Sequence, residues 1–169
     1  FGDCTFEQAR IPFAAVAVDL EEGCQVIIAK GRIARAVAAS SAIAGIFPPV
    51  EIGGRRLVDG GYTSPVPIEA ARTLGANVVI GVDVSTSAIE RGGLANAVEV
   101  AMRANEITLM ALEREQLHRA DVVVPARGRE RHWSDYSAPE EAIKAGERAA
   151  EQMLDSIHAA IEESAHLFV

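Results

Sequence analysis

The sequence is poor in the residues and motifs that announce most chemistries. Only Cys4 and Cys24 are present, without C-x-x-C spacing, which excludes a disulfide framework and fits a reducing compartment, with the cytoplasm favoured. The four histidines form no H-E-x-x-H pattern, so a metal site has no support. No G-x-G-x-x-G or G-x-x-x-x-G-K occurs, and with them go the two common phosphate-cradling loops. G-x-S-x-G is missing as well, so the chain has no nucleophile elbow of its own. Positive charge is in deficit: a formal net charge of -8 argues against a surface that gathers nucleic acid or anionic lipid by bulk electrostatics. No apolar run approaches the ~18 residues that span a bilayer. The opening FGDCTFEQAR has neither a charged n-region nor an apolar h-region and reads as the interior of a longer protein.

What remains is a chain of 169 residues, 49% hydrophobic, enough to bury the core of one domain over 1–169. IPFAAVAVDL, residues 11–20, is a continuous apolar run that predicts a strand buried on both faces. EEGC then turns into QVIIAKG, completing a hairpin. Residues 32–43 are rich in alanine and predict a helix closed by Gly45 and the Pro48-Pro49 pair. VEIGGRRLVDGG carries a second hairpin signal at Gly53-Gly54, and IEAARTLGA predicts a helix between Pro67 and Gly75. NVVIGVDVS and DVVVP read as buried strands. Between them, residues 94–119 place Leu94, Val98, Ala101, Met102, Leu109 and Leu112 at helical spacing. A last helix is expected from about 140 to 166. Apolar strands alternating with helices predict an α/β fold, a mainly parallel sheet with helices on both faces. Because the chain opens on a strand, that sheet is expected to lack members.

The stretch LVDGGYTSPVPIEAAR, residues 57–72, stands out: an acidic residue at a strand end, two glycines, then a proline-flanked helix start. By itself it is an ordinary Asp-Gly turn. It lies, however, in an ordered series with IPFAAVAVDL, AVAASSAIAGIFPPV and VVIGVDVS, and that series resembles the patatin-like phospholipase family from about Ile11 to Ser85. HWSDYSAPEEAIKAGERAA extends the resemblance more loosely. The resemblance implies an incomplete three-layer patatin-like domain and a serine hydrolase of lipid acyl esters that works through a Ser-Asp dyad without histidine or cofactor. It implies that Asp59 is the catalytic aspartate and that Gly60 and Gly61 complete its motif. The serine and the glycine-rich oxyanion loop of the family have no counterpart here and are expected upstream, so residues 1–169 alone are expected to be inactive. Ala44 and Ser64 stand where the family often has proline and asparagine. The competing reading is a catalytically silent patatin-like module that binds lipid or a protein.

Several further expectations are specific. Ser40 and Ser41 lie in a helical stretch without an elbow and are expected to pack, not attack. Asp19 and Asp83 end strands and are expected to serve strand-end hydrogen bonding and helix capping, not catalysis. His132, Trp133 and Tyr136 mark a polar-aromatic loop, expected to pack at the surface on the last helix, with the lining of an acyl pocket as the alternative. The apolar face of 94–112 is expected to be core. Gly60 or Gly61 is expected at positive φ, aiming Asp59 into a cleft. The strand at 14–20 or the one at 78–84 should border a gap filled by an N-terminal segment, a second copy or a swapped element, with Asp59 at the rim of that contact.

Overall fold

The computed structural model describes residues 2–85, 95–126 and 137–166. It divides the chain into two compact units, Phe1–Ala70 and Ala71–Val169.

The first unit is built on a four-stranded sheet. β1 (Ala15–Asp19) and β2 (Cys24–Ile28) are joined by a tight turn, and β3 (Val50–Ile52) and β4 (Arg55–Asp59) by another. The strand order is β2-β1-β4-β3, and all three pairings are antiparallel. This corrects the mainly parallel sheet that the strand-helix alternation predicts. The reason is local. Gly53 and Gly54 have φ of 59° and 79°, the left-handed pair that a two-residue hairpin demands, and such a turn can only reverse the chain. At the other turn Gly23, at φ 64°, donates its N–H to Asp19 O over 2.9 Å. Asp19 is buried, and its Oδ1 accepts from the N–H groups of Glu21 and Glu22, as expected for a strand-end carboxylate. β1 is paired on both sides, so it does not border the expected gap.

All five residues of β1 are buried. Helix α1 (Ile33–Ser40) covers one face of the sheet, with Ile33, Ala36 and Ala39 packed among Phe6, Ala15, Ala17, Ile28 and Leu57. Alanine at these positions lets helix and sheet backbones approach closely, and Ala17, Ala36, Ala39 and Leu57 are each at most 1% exposed. α1 ends three residues short of its predicted limit. The N–H and hydroxyl of Ser41 both donate to Val37 O, at 3.0 and 2.7 Å, which closes the last turn before Gly45 or the prolines are reached.

In the second unit β5 (Ile80–Asp83) and β6 (Val122–Pro125) pair in parallel. α2 (Ile68–Thr73) enters this unit from the first and ends as predicted, with Gly75 at φ 98° and its N–H on Arg72 O. Arg72 reaches both carboxylate oxygens of Asp121 at 3.0 Å, while Asp121 Oδ2 accepts the Val79 N–H at 2.6 Å. β5 alternates: Gly81 and Asp83 are buried, but Ile80, Val82 and the following Val84 are exposed, against the prediction of burial on both faces. Among the described residues its only strand partner is β6. Asp83 behaves as expected, its Oδ1 accepting from the N–H and hydroxyl of Ser85.

α3 (Ala97–Leu117) has no buried residue, which corrects the expectation that its apolar face is core. Val98, Val100 and Met102 are exposed, as is Ile107. The predicted last helix is two, α4 (Pro139–Gln152) and α5 (Leu154–His166), separated at Met153, whose N–H bonds to Ala150 O in a tightened turn. No proline or glycine marks that break. Both α4 and α5 pack on β6. Leu94, His132, Trp133 and Tyr136 lie outside the described residues.

Candidate active site

Asp59 is the last residue of β4, a position fixed by its neighbours on both sides. Its Cα pairs with Ala17 across the β1–β4 ladder, and its N–H donates to Ala42 O at 3.0 Å. A short 3-10 helix, Gly60–Tyr62, begins immediately after it, and Asp59 caps that helix: Oδ1 accepts the Gly61 N–H at 2.7 Å. Oδ2 has no hydrogen-bond partner among the described residues. The carboxyl group is thus held by one oxygen and open at the other.

Burial raises the Asp59 pKa above its ordinary value, and the Gly61 hydrogen bond acts in the opposite sense. A half-buried carboxylate whose proton affinity is raised, with one lone-pair oxygen unengaged, is a competent acceptor for a proton.

Neither Gly60 nor Gly61 has positive φ, so the expected left-handed turn is not what aims the carboxylate. The glycines answer a different need. A Cβ on Gly60 would lie 2.3 Å from the carbonyl oxygen of Val16 and 2.7 Å from its carbon. The chain must pass against the β1 backbone as it leaves β4, and only hydrogen fits there. A Cβ on Gly61 would stand 3.1 Å from Asp59 Oδ1, against the oxygen that the Gly61 N–H holds. The helix then closes through Gly60 O, which accepts from the N–H groups of Thr63 and Ser64 at 3.1 and 2.8 Å.

Neither Ser40 nor Ser41 is placed as a nucleophile beside this carboxylate. Ser41 commits its hydroxyl to Val37 O, and Ser40 is the last residue of α1. Among the described residues no group of three or more His, Cys, Asp or Glu side chains is placed to hold a metal ion. Sequence reasoning overlooks one contributor, Ala42. Its backbone carbonyl anchors Asp59, and a carbonyl carries no side-chain signal by which it could be found.

Residues 6–72 match the family model described as patatin-like phospholipase, and this span includes Asp59 and the two glycines. This segment is similar to patatin-like phospholipases. An NTE family protein of Mycobacterium tuberculosis is 38% identical over 86 residues, 51% of this chain and 24% of that protein. The lysophospholipase NTE1 of Candida glabrata is 34% identical over 86 residues, covering 51% of this chain and 5% of that protein. The patatin-like phospholipase domain-containing protein 7 of Rattus norvegicus is 34% identical over 88 residues, 51% of this chain and 6% of that protein. The chain therefore spans a quarter or less of the length of these relatives. The patatin-like match closes at residue 72, close to the boundary between the two units at residue 70. No helix among the described residues is long and apolar enough to cross a membrane.

Proposed function

We propose that this chain supplies the catalytic aspartate of a serine hydrolase acting on lipid acyl esters, with Asp59 as the general base. The observation that carries this reading is the Asp59 carboxylate itself: anchored through Oδ1, open at Oδ2, raised in pKa by burial and set inside the patatin-like segment. Similarity to a lysophospholipase over half of the chain favours a glycerolipid or related acyl ester as substrate.

The step asked of Asp59 is narrow. A serine hydroxyl attacks the ester carbonyl while its proton passes to Asp59 Oδ2; the tetrahedral intermediate expels the alcohol, which takes that proton, and leaves an acyl-serine. Water, giving a proton to the same carboxylate, then attacks the acyl-serine; the C–Oγ bond breaks, the proton passes from Asp59 to the serine oxygen, and the fatty acid leaves. General-base assistance of this kind contributes about 10²- to 10⁴-fold. The 169 residues hold no G-x-S-x-G, so the reading requires a serine and an oxyanion hole from outside them.

The test uses the full polypeptide that contains these residues. Asp59→Asn is expected to lower kcat on a short-chain p-nitrophenyl ester by roughly 10²-fold or more with KM little changed. A fluorophosphonate probe should label that polypeptide and spare residues 1–169 expressed alone. An unchanged kcat in Asp59→Asn, or labelling of Ser40 or Ser41, overturns the assignment. A full polypeptide with no G-x-S-x-G and no esterase activity would establish the competing reading, a silent patatin-like module.

A further inference from the structure

Helix α1 ends where helix propensity alone would not end it. From Ile33 to Ala44 the sequence IARAVAASSAIA contains neither glycine nor proline, yet the helix stops at Ser40. Ser41 places its N–H and its hydroxyl on Val37 O, at 3.0 and 2.7 Å, while its own backbone, at φ -117° and ψ 13°, has left helical geometry. The next N–H, that of Ala42, reaches back only to Ala39 O, at 3.3 Å, and Ser41 O accepts the Ile43 N–H at 3.0 Å. In a continuing helix Ala42 O would accept from the N–H four residues on, that of Ile46. Ile46 donates instead to Ile43 O at 3.0 Å, and Ala42 O takes the Asp59 N–H.

This exchange of partners matters at Asp59. On the β3 side of β4 the ladder stops at the Val50–Leu57 pair, so at Asp59 the backbone partner is Ala42 O and not a strand. Ala42 is 2% exposed, and a carbonyl buried there without a donor would be costly, so the two groups hold each other. We propose that Ser41 is a positioning residue for Asp59: its hydroxyl holds the last turn of α1 closed at Val37, which turns Ala42 O onto the Asp59 N–H and fixes the reach of the carboxylate. In α3 a similar bond, Thr108 Oγ1 to Ala104 O at 3.0 Å, leaves the helix running. The hydroxyl therefore does not end a helix by itself; at Ser41 it acts together with the Asp59 N–H, which draws Ala42 O out of the helical direction. The inference rests on the reading of Asp59 as a general base.

The experiment uses the full polypeptide that contains these residues. Ser41→Ala is expected to lower kcat on a short-chain p-nitrophenyl ester by about tenfold with KM unchanged, because a displaced base loses rate and not affinity. Ser41→Thr, which keeps the hydroxyl, is expected to restore most of that loss. Thr108→Ala, which removes the comparable bond far along α3, is expected to leave kcat as it is. Hydrogen exchange at the Asp59 amide, read in fragments covering residues 57–61, should quicken about tenfold in Ser41→Ala, with β2 unchanged. Unchanged exchange at Asp59, a loss in Ser41→Thr equal to that in Ser41→Ala, a rise in KM at constant kcat, or an equal loss in Thr108→Ala would each overturn the proposal. A fall of kcat in Asp59→Asn with none in Ser41→Ala would overturn the positioning role alone. Full kcat in Asp59→Asn would overturn the base reading, and the exchange measurement, which does not depend on hydrolysis, would still decide whether Ser41 holds Asp59.

Discussion

Leu57 on β4 is 1% exposed and Ile107 on α3 is 51% exposed, although both are large aliphatic residues on regular elements. The contrast holds for the two units at large. In residues 2–70 the short helix α1 and a four-stranded sheet close a core in which alanines bring backbones together. In residues 71–166 two strands pair, yet α3 and α5 contain no buried residue and α4 contains only Ala149. The patatin-like match coincides with the first of these regions. The region of the match holds the cluster in which Phe6, Ile28, Ile33 and Leu57 are enclosed together, although Ile11, Phe13, Leu20, Ile46 and Phe47 within it are exposed. Beyond it, among the described residues, Val79, Val122 and Val124 are buried while Val84, Val98, Val100, Ile107, Ile143 and Ile161 are exposed.

The sharpest way to break that comparison is a pair of truncations. Leu57→Ala should destabilise the first unit by about 3 kcal/mol, since it removes a fully enclosed side chain and leaves a cavity. Ile107→Ala should change stability by no more than about 0.5 kcal/mol, as expected for a side chain already in water. Urea denaturation followed by circular dichroism reads both. A large loss at Ile107 would show that α3 is covered in solution and that the contrast between the units is weaker than the burial pattern indicates.

The glycines after Asp59 test whether close approach, and not left-handed geometry, governs the site. Gly60→Ala must displace either the new methyl or the Val16 carbonyl and should cost about 2 to 3 kcal/mol. Gly61→Ala meets only the Asp59 Oδ1 atom at 3.1 Å and should cost about 1 kcal/mol or less. Equal costs at the two positions would contradict the steric account.

A smaller effect distinguishes the second unit. Asp121 takes the Val79 N–H and pairs with Arg72, and chiefly through that backbone hydrogen bond its pKa is lowered from 3.8. Stability from this group is present above the unfolded value and is lost as pH falls through the lower folded one. Asp121→Asn should therefore cost about 1 kcal/mol at neutral pH, and the difference from wild type should shrink in acid. A pH-independent difference would place the loss in packing and not in charge.

Much of this was legible in the sequence, and the exceptions have physical causes. Both hairpins were marked by their glycines, and the helix at 68–73 by Pro67 and Gly75, because these signals act over a few residues. Strand-helix alternation predicts a parallel sheet because it is a long-range signal, whereas the two local turns force antiparallel pairing of β1 with β2 and of β3 with β4. The bare face of α3 was misread because periodicity reports that a face is apolar without reporting what covers it. The roles of Gly60 and Gly61 were misassigned for a related reason: glycine is needed for positive φ or for lack of a side chain, and only the position of Val16 decides between them. The ordered series of segments is what singles out Asp59 as the candidate residue. Its anchor at Ala42 O was beyond reach, because a backbone carbonyl has no residue signature.

The smallest expected effect is also the one that separates a catalytic carboxylate from a structural one, and its sign is opposite to that at Asp121. The Asp59 pKa is raised by burial, so the folded chain holds this proton more tightly than the unfolded chain does. Its charged form therefore costs stability. That cost develops as pH rises from the unfolded value of 3.8 through the raised folded value, and it is complete above it. Asp59→Asn removes the charge while its amide oxygen can still accept the Gly61 N–H. At neutral pH the variant should be as stable as wild type or slightly more so, and in acid the two should converge. A carboxylate retained for the fold would behave like Asp121, with the variant less stable at neutral pH. Urea denaturation of both proteins at neutral pH and near pH 3.8 distinguishes the two outcomes, and a marked neutral-pH loss in Asp59→Asn would make Asp59 a structural cap of the 3-10 helix instead of a base.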